Sequence, residues 1–207
     1  MIKQEVLFSG DIYDPQDEEL LAFQAECIEK VNKYNSLSAT QEGYEKRFQL
    51  IGEMFMEAGE NCYIEPPFHS NFGGKHVKLG KNVYANFNLT LVDDGPITIG
   101  SFTMIGPNVT IATACHPISP ALRKRGLQFN KPVVIGENVW IGAGALIMPG
   151  VKIGDNSVIG AGSVVTKDVP PNVVAVGNPC HVLREISSDD DRFYDHGKPI
   201  NEESILN

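Results

Sequence analysis

A strict six-residue period occupies the second half of this chain and limits what it can fold into. From Val133 onward the sequence divides into VVIGEN, VWIGAG, ALIMPG, VKIGDN, SVIGAG and SVVTKD. The third residue of every hexad is aliphatic, as Ile135, Ile141, Ile147, Ile153, Ile159 and Val165 show. A helix repeats about every 3.6 residues, and each hexad glycine would cost up to ~1 kcal/mol inside one. The period therefore excludes a helix and predicts short strands that bend at regular corners, with the aliphatic residue inward.

Such a pattern is typical of a parallel β-helix, in which each coil shields the next. If three hexads close one coil, Ile135 stacks on Ile153 through the core. The period is present less cleanly from Val77, and Gly95 and Pro96 shift its register once. We predict a mainly β fold, with the β-helix over residues 61–186 and a loop over 115–132. The segment 170–186 is expected to leave the helix as a capping strand or loop, because an open last coil would expose unpaired edges.

The first 60 residues follow a helical pattern instead and are predicted as a separate amino-terminal segment. One apolar face comprises Leu20, Phe23, Cys27, Val31 and Tyr34. Asp14 and Pro15 suit its N-cap and first turn. A second face comprises Phe48, Ile51, Met54, Phe55 and Ala58, with Gly59 as a C-terminal cap. We expect both helices to cover one end or a flank of the β-helix. The acidic tail, 187–207, is expected to be disordered or to pack on a neighbouring subunit.

Charge and composition narrow the classes of function. The net charge of -9 argues against nucleic-acid or membrane-surface binding, both of which reward a positive field. No apolar run is long enough to span a membrane, and the first residues lack the apolar core of a secretory signal. The 4 cysteines form no CxxC pair, so we expect reduced thiols, neither a zinc site nor disulfides, and a cytoplasmic protein.

The loop CHPISPALRKRGLQFNKP interrupts the regular coils, and a solenoid gathers its chemistry in such excursions. His116 stands at its beginning and is a candidate general base. The alternative is a solvent-exposed histidine beside a proline turn. Cys115 precedes it, but neighbours in an extended strand point to opposite faces, so we assign Cys115 a structural or incidental role. The basic run of residues 123–125 could contact a phosphate, although such runs are usually only solvated.

The chain resembles the hexapeptide-repeat acetyltransferases, within them the maltose, galactoside and nodulation-factor sugar O-acetyltransferases. The resemblance runs from GDIYDP to about Ile186. It rests most on IGEMFMEAGENCYIEPPF, YANFNLTLVDD, IGPNVTI, CHP, the stretch from VWIGAG to VGNPC, and VLREI. It implies a left-handed coil, a homotrimer with active sites between subunits, and acetyl transfer from acetyl-CoA to a sugar hydroxyl, with no metal required.

The resemblance also implies roles for particular residues. His116 would take the proton of the attacking hydroxyl and then protonate the leaving thiolate. Asn86 would face the histidine and position the acceptor; its alternative role is an asparagine ladder at a coil corner. Asp94 would contact the acceptor, although Asp93 and Asp94 also suit a turn before Gly95.

Two further acceptor contacts are less closely matched. The family places an aspartate near the amino terminus, where Asp14 and Asp17 both qualify and Asp14 is favoured; a helix cap is the alternative. The family's second contact lies just after PPF, where Asn71 is at the matching position, in a stretch one residue longer than the family's usual spacing.

The donor, acetyl-CoA, is expected in the groove between neighbouring coils. Its contacts by family position are Trp140, Ala143, Ala161, Thr166, Lys167, His181 and Arg184. The alanines would let a pantetheine arm approach the backbone, while Lys167 and Arg184 would meet phosphates. Ordinary tight coil packing is the alternative for the alanines. His181 replaces an arginine found in some relatives, so phosphate binding would depend more on Arg184.

Three alternative functions stay open. The acceptor could be an amino-sugar nitrogen or serine, because the fold hosts those reactions too. The chain could instead be a structural or binding solenoid without turnover. A metal-dependent hydratase would need convergent histidines, which no spacing among the five demands.

Overall fold

The computed structural model describes residues 4–201, so residues 1–3 and 202–207 of the two predicted terminal segments lie outside the described part. Its helices are α1 (Gln4–Ser9), α2 (Glu18–Ser36), α3 (Gln41–Met54) and α4 (Pro120–Lys124). Its strands are β1 (Glu57–Ala58), β2 (Tyr63–Ile64), β3 (His69–Ser70), β4 (Val77–Leu79), β5 (Tyr84–Ala85), β6 (Thr90–Val92), β7 (Ile97–Ile99), β8 (Met104–Ile105), β9 (Thr110–Ala112), β10 (Ala114–Cys115), β11 (Phe129–Asn130), β12 (Val133–Ile135), β13 (Trp140–Ile141), β14 (Leu146–Ile147), β15 (Lys152–Ile153), β16 (Val158–Ile159), β17 (Val164–Val165), β18 (Val173–Val176), β19 (His181–Glu185), β20 (Phe193–Tyr194) and β21 (Lys198–Pro199).

The strands stack into three sheets that form the sides of a parallel β-helix. Their orders are β1-β4-β7-β12-β15, β2-β5-β8-β13-β16-β18-β19 and β3-β6-β9-β14-β17. Ile135 pairs with Ile99 on one side and with Ile153 on the other, and all three side chains are buried. The predicted parallel β-helix and its stacking of Ile135 on Ile153 are confirmed. The left hand of the coil remains the prediction from the resemblance.

The coils begin at β1, slightly before the boundary predicted at residue 61. The helix α3 ends at Met54, and Phe55 caps it in an extended conformation, so the predicted cap at Gly59 is wrong. Gly59 serves the coil instead. A Cβ there would lie 2.5 Å from the carbonyl oxygen of Gly80 on the next coil. The close stacking of the two coils therefore requires glycine at this corner.

The helix α2 begins at Glu18, and its N-cap is Asp17, whose Oδ1 accepts from the backbone N–H of Leu20 at 2.9 Å. The predicted cap at Asp14 is wrong, because that carboxylate accepts from the N–H of Gln16 in the preceding turn. The predicted apolar face is buried except at Phe23, which is 41% exposed. The helices α2 and α3 pack on β1, β2 and β3, so they cover the first coil as expected.

Asparagines in the left-handed region turn several corners and bond to one another. Asn138, Asn156 and Asn172 have φ of 52°, 59° and 59°. The Nδ2 of Asn138 donates to Asn156 at 3.0 Å, and that of Asn156 donates to Asn172 at 3.0 Å. A short polar side chain tolerates this conformation better than other non-glycine residues do. The corners are therefore built from residues that accept the turn and bond to the next coil.

The last coil is closed as predicted, by β19, which pairs antiparallel with β18. Beyond it, β20 and β21 form an exposed hairpin, so the described part of the acidic tail is structured. Within residues 4–201, no helix combines the length and the apolar character that crossing a membrane requires.

Candidate active site

The loop predicted to carry chemistry leaves the coils after β9 and is tied at its base by antiparallel pairing of β10 with β11. His116 directly follows β10 and is exposed. Its Nδ1 lies 2.8 Å from the carbonyl oxygen of Leu127 across the loop. Because a carbonyl oxygen only accepts, Nδ1 carries the hydrogen in this bond. A neutral imidazole held in this way has its lone pair on Nε2, where it can accept a proton.

The buried carboxylate of Asp94 lies close to the part of the loop that contains Leu127. Asp94 is 7% exposed and follows β6. Its Oδ2 accepts from Asn71 Nδ2 at 2.7 Å, and its Oδ1 accepts from Gln128 Nε2 at 2.9 Å. Amide donors on both oxygens hold the carboxylate in one orientation. The structure thus brings together two of the predicted acceptor contacts, Asn71 and Asp94.

Gln128 also links this carboxylate to the amino-terminal segment. Its Nε2 donates to the hydroxyl of Tyr13 at 2.5 Å, and the two backbones pair antiparallel. Asn130 Nδ2 donates to the same hydroxyl at 3.1 Å and to the carbonyl oxygen of Leu7 at 3.0 Å. Burial raises the pKa of Tyr13 to about 12. Sequence reasoning missed Tyr13, Gln128 and Asn130, because nothing in the repeat marks them.

Asp93, next to Asp94, faces the other way and organises a turn. Its carboxylate is fully buried and accepts from Ser70 Oγ at 2.7 Å and from the N–H groups of Phe72 and Gly74, each at 2.9 Å. Burial raises its pKa above the ordinary value, against these donors. The turn after β3 therefore wraps around Asp93, and this wrapping presents Asn71 to Asp94.

Each of the two candidate aspartates near the amino terminus accepts one backbone N–H, Asp14 that of Gln16 and Asp17 that of Leu20. Asp17 caps α2, which occupies one of its carboxylate oxygens. Asp14 is exposed and directly follows Tyr13, which pairs with Gln128 of the loop. Asp14 is therefore beside the loop, and its contact with the acceptor stays a prediction.

The second part of the predicted site is an open groove of about 550 Å³ on another face of the coils. Asn86, Trp140, Ala143 and Ala161 all line it. Asn86 is not part of the asparagine ladder formed by Asn138, Asn156 and Asn172; its Oδ1 accepts from the N–H of Phe87 at 2.8 Å. The alanines also stack tightly, since a Cβ on Gly142 would lie 2.5 Å from the backbone nitrogen of Ala161. The alanines therefore pack closely between coils and also leave the backbone accessible to a ligand in the groove.

Four predicted donor contacts lie outside this lining. Thr166 and Lys167 are exposed after β17, and His181 and Arg184 are exposed on β19. Arg184 pairs in register with Val174, which pairs with Val158 of the groove. Arg184 is therefore about two strand spacings, about 10 Å, beyond the groove along one sheet.

Within one chain, the structure does not bring Asn86 and His116 together. Asn86 lies at the corner before β6, whereas His116 follows the far end of the neighbouring strand β9. An extended stretch such as Asn88 to Asp94 spans about 20 Å, well beyond a hydrogen bond. The two predicted catalytic residues therefore lie near opposite ends of the strands of one sheet.

The remaining loop features show no catalytic arrangement. Burial raises the pKa of the Cys115 thiol, which disfavours the thiolate that a nucleophile needs. Arg123, from the basic run, donates to the carbonyl oxygen of Ile118 at 2.9 Å within the loop. Across residues 4–201, no group of three or more His, Cys, Asp or Glu side chains is placed to hold a metal ion.

Comparison with known proteins identifies the family to which this chain belongs. Residues 132–167 match the model of the bacterial transferase hexapeptide (six repeats), and residues 8–59 match that of the maltose acetyltransferase hexapeptide capping motif. A galactoside O-acetyltransferase of Lactococcus lactis is 56% identical over 95% of this chain and 94% of its own. The chain belongs to the hexapeptide-repeat acetyltransferase family. Another galactoside O-acetyltransferase, from Escherichia coli, is 55% identical over 72% of this chain and 73% of its own.

Solved structures of the hexapeptide-repeat acetyltransferases extend the match to the whole fold. A galactoside acetyltransferase in complex with coenzyme A is 44% identical, with a TM-score of 0.91 over 98% of this chain and 100% of the other. A maltose O-acetyltransferase from Clostridium difficile 630 is 42% identical, with a TM-score of 0.86 over 90% and 98%. The helical segment, the coils and the loop therefore all have counterparts in this family.

Proposed function

We propose that this protein is an acetyl-CoA-dependent O-acetyltransferase that transfers an acetyl group to a sugar hydroxyl of the galactoside or maltose type. The observation that carries the proposal is the loop geometry: the Leu127 carbonyl fixes the tautomer of His116, and the neighbouring Gln128, with Asn71, holds the carboxylate of Asp94. Relatives named galactoside O-acetyltransferase, and a galactoside acetyltransferase solved with coenzyme A, support the reaction and its donor.

His116 is the general base of the proposed reaction. Its Nε2 takes the proton of the sugar hydroxyl while that oxygen attacks the thioester carbonyl carbon. The tetrahedral intermediate collapses, the carbon–sulfur bond breaks, and the imidazolium returns the proton to the departing thiolate. The Leu127 carbonyl, 2.8 Å from Nδ1, keeps the imidazole in the tautomer that this cycle needs and stabilises the imidazolium.

The acceptor is held by Asp94, Asn71 and Asp14 in this proposal. A carboxylate with one amide on each oxygen keeps further lone pairs for sugar hydroxyl groups. Asp14 is the nearby exposed carboxylate on the amino-terminal side of the loop. Because the acceptor's hydroxyl groups must replace their water contacts, polar side chains with fixed orientation favour a carbohydrate.

The donor groove supplies the other half of the site. Trp140 is 54% exposed and offers an aromatic face to a ligand, while Ala143 and Ala161 leave room for a narrow chain beside the backbone. In this proposal the phosphate groups of acetyl-CoA are met by four exposed residues, Lys167, Thr166, His181 and Arg184. In a chain of net charge -9, local cations are needed to attract that anionic donor.

We propose a homotrimer with sites between subunits. Asn86 and His116 lie near opposite ends of the strands of one sheet, so a complete site needs Asn86 from a neighbouring chain. The outer faces of Met104, Trp140 and Leu146 are 51%, 54% and 39% exposed, which is apolar area that an adjoining chain or the donor would cover. The four free cysteines favour a reducing compartment, and we propose the cytoplasm.

The test is acceptor-dependent release of free CoA thiol from acetyl-CoA, over galactosides, glucosides, maltose and amino sugars. His116→Ala is expected to lower kcat by about 10²- to 10⁴-fold, the usual contribution of a general base. The matched control is His196→Ala, because His196 is 97% exposed on the tail hairpin.

The proposal fails if no sugar gives turnover, or if folded His116→Ala protein is as fast as the parent. Turnover confined to amino sugars would indicate that the accepting atom is the amino nitrogen and not a hydroxyl oxygen. Coenzyme A binding without turnover on any acceptor would favour a binding solenoid.

A further inference from the structure

Arg184 lies at the end of a row of outward side chains that crosses the donor groove. Registered pairing joins these residues strand by strand, in the order Tyr84, Met104, Trp140, Val158, Val174 and Arg184. A ligand that lies across this sheet and ends in a phosphate would reach Arg184 last. The position of Arg184 at the end of this row suits a contact with such a phosphate.

The tail holds that guanidinium in a fixed geometry. Arg184 Nη1 donates to Asp190 Oδ2 at 2.8 Å, and Nη2 donates to Asp190 Oδ1 at 2.7 Å. Nη1 also donates to the carbonyl oxygen of Glu185 at 2.9 Å. The two parallel bonds form a bidentate pair, whose geometry defines the plane of the guanidinium.

Asp190 is itself held by the turn that follows β19. Its Oδ2 accepts from the backbone N–H of Ser187 at 2.9 Å, and its own N–H donates to the Ser187 carbonyl at 3.0 Å. The Arg184 hydrogen bond is the main cause that lowers the pKa of Asp190 to about 2, so the carboxylate stays charged near neutrality. Two side chains are thus ordered by one closed set of hydrogen bonds.

These bonds leave one edge of Arg184 available. A guanidinium has five N–H groups, and the described contacts use both on Nη1 and one on Nη2. The remaining Nη2 hydrogen and the Nε hydrogen lie on the same side and form a second fork. Two parallel donors of this kind match two oxygens of a phosphate.

We propose that Asp190 is a positioning residue that orients the Nε–Nη2 edge of Arg184 toward a terminal phosphate monoester of the acyl donor. This inference rests on the proposed use of acetyl-CoA. It gives the structured beginning of the acidic tail a role in donor recognition. The negative charge of the tail alone would argue against this role, because the donor is an anion. Without Asp190, the exposed Arg184 side chain would sample several rotamers, and binding would have to order it.

The experiment is calorimetric titration of the full chain with CoA and with dephospho-CoA, which lacks the 3′-phosphate. Asp190→Asn keeps the shape of the side chain and removes its charge. We expect it to weaken CoA binding by about tenfold, the loss of one good charge-assisted contact, and to leave dephospho-CoA binding unchanged. Arg184→Ala should weaken CoA binding by a similar factor, and adding Asp190→Asn to it should have no further effect.

The matched control is Asp189→Asn. Asp189 is in the same turn but pairs with Arg192 at 2.5 Å, so its variant should bind CoA like the parent. Tighter or unchanged CoA binding by Asp190→Asn would overturn the inference, the first by showing that Asp190 competes with the phosphate. Equal weakening toward CoA and dephospho-CoA would also overturn it, because it indicates general disruption of β19. If the parent binds neither ligand, the proposed function itself fails.

Discussion

Asn71 Nδ2 donates to Asp94 Oδ2 at 2.7 Å, and this contact joins two successive coils at the acceptor side of the loop. Asn71 follows β3 and Asp94 follows β6, which pair in parallel. Asn71 reaches Asp94 because the turn after β3 closes around Asp93 through Ser70, Phe72 and Gly74. One aspartate of the pair therefore builds the turn, and the other faces the proposed substrate.

Replacement of Asp94 by asparagine should impair acceptor binding. The new amide group would meet the donating Nδ2 of Asn71 or Nε2 of Gln128, so one donor would lose its partner. We expect Asp94→Asn to raise KM for the sugar by at least about tenfold and to leave KM for acetyl-CoA nearly unchanged. Steady-state kinetics with each substrate varied will measure both. Glu45→Gln, at an exposed position of α3, is the control; a parallel rise in both KM values would contradict the assignment.

Mixed assemblies should test whether Asn86 acts from a neighbouring chain. Asn86→Ala and His116→Ala are each expected to be nearly inactive alone. After equimolar refolding together, sites that combine an intact His116 with a neighbour's intact Asn86 should restore about a quarter of parental activity. No recovery, with mixed assemblies verified by mass, would place both residues of a site on one chain. Sedimentation should give three times the 22.6 kDa chain mass.

The asparagine ladder should contribute to stability through both its conformation and its hydrogen bonds. Asn156 has φ of 59° and bonds to Asn138 and Asn172. Asn156→Ala should lower the free energy of unfolding by about 1–3 kcal/mol, since it loses both bonds and strains the corner. Asn156→Gly should cost less, because glycine adopts positive φ freely. Denaturant unfolding will compare them. Equal losses would show that backbone strain is not part of the cost.

Tyr13 should make the protein less stable at alkaline pH. Burial raises its pKa from 10.0 to about 12, so between these values the unfolded chain loses the phenol proton while the folded chain keeps it. Stability is then complete below pH 10 and falls as pH rises through this window. Tyr13→Phe should reduce that fall, measured by denaturant unfolding from pH 9 to about 11.5. An unchanged slope would exclude Tyr13 as its source.

The coils were predictable because each one contacts mainly its neighbours. The aliphatic third position of the hexads placed Ile135 on Ile153, and the structure pairs them. Family motifs then supplied His116, Asn86 and Asp94. Their roles remain predictions; in the structure His116 bonds to Leu127, Asp94 bonds to Gln128, and Asn86 lines the groove proposed for the donor.

Helix ends were predicted poorly, and the reasons are local. Asp14 and Asp17 both suit an N-cap, and only the hydrogen bond from the Leu20 N–H decides for Asp17. Gly59 suits a helix C-terminus by composition, but the approach of Gly80 from the next coil explains why glycine is there.

The sequence by itself determined the repeating part of this protein, because a hexad carries its own inward residue and corner, and every coil presents the same edge to the next. Tertiary structure alone decided how the candidate site is held. Tyr13 and Gln128 are separated by 115 positions, and Arg184 is oriented by an aspartate of the tail. Side-chain hydrogen bonds of this kind depend on the angle and distance at which non-repeating segments meet, and the repeat does not encode either.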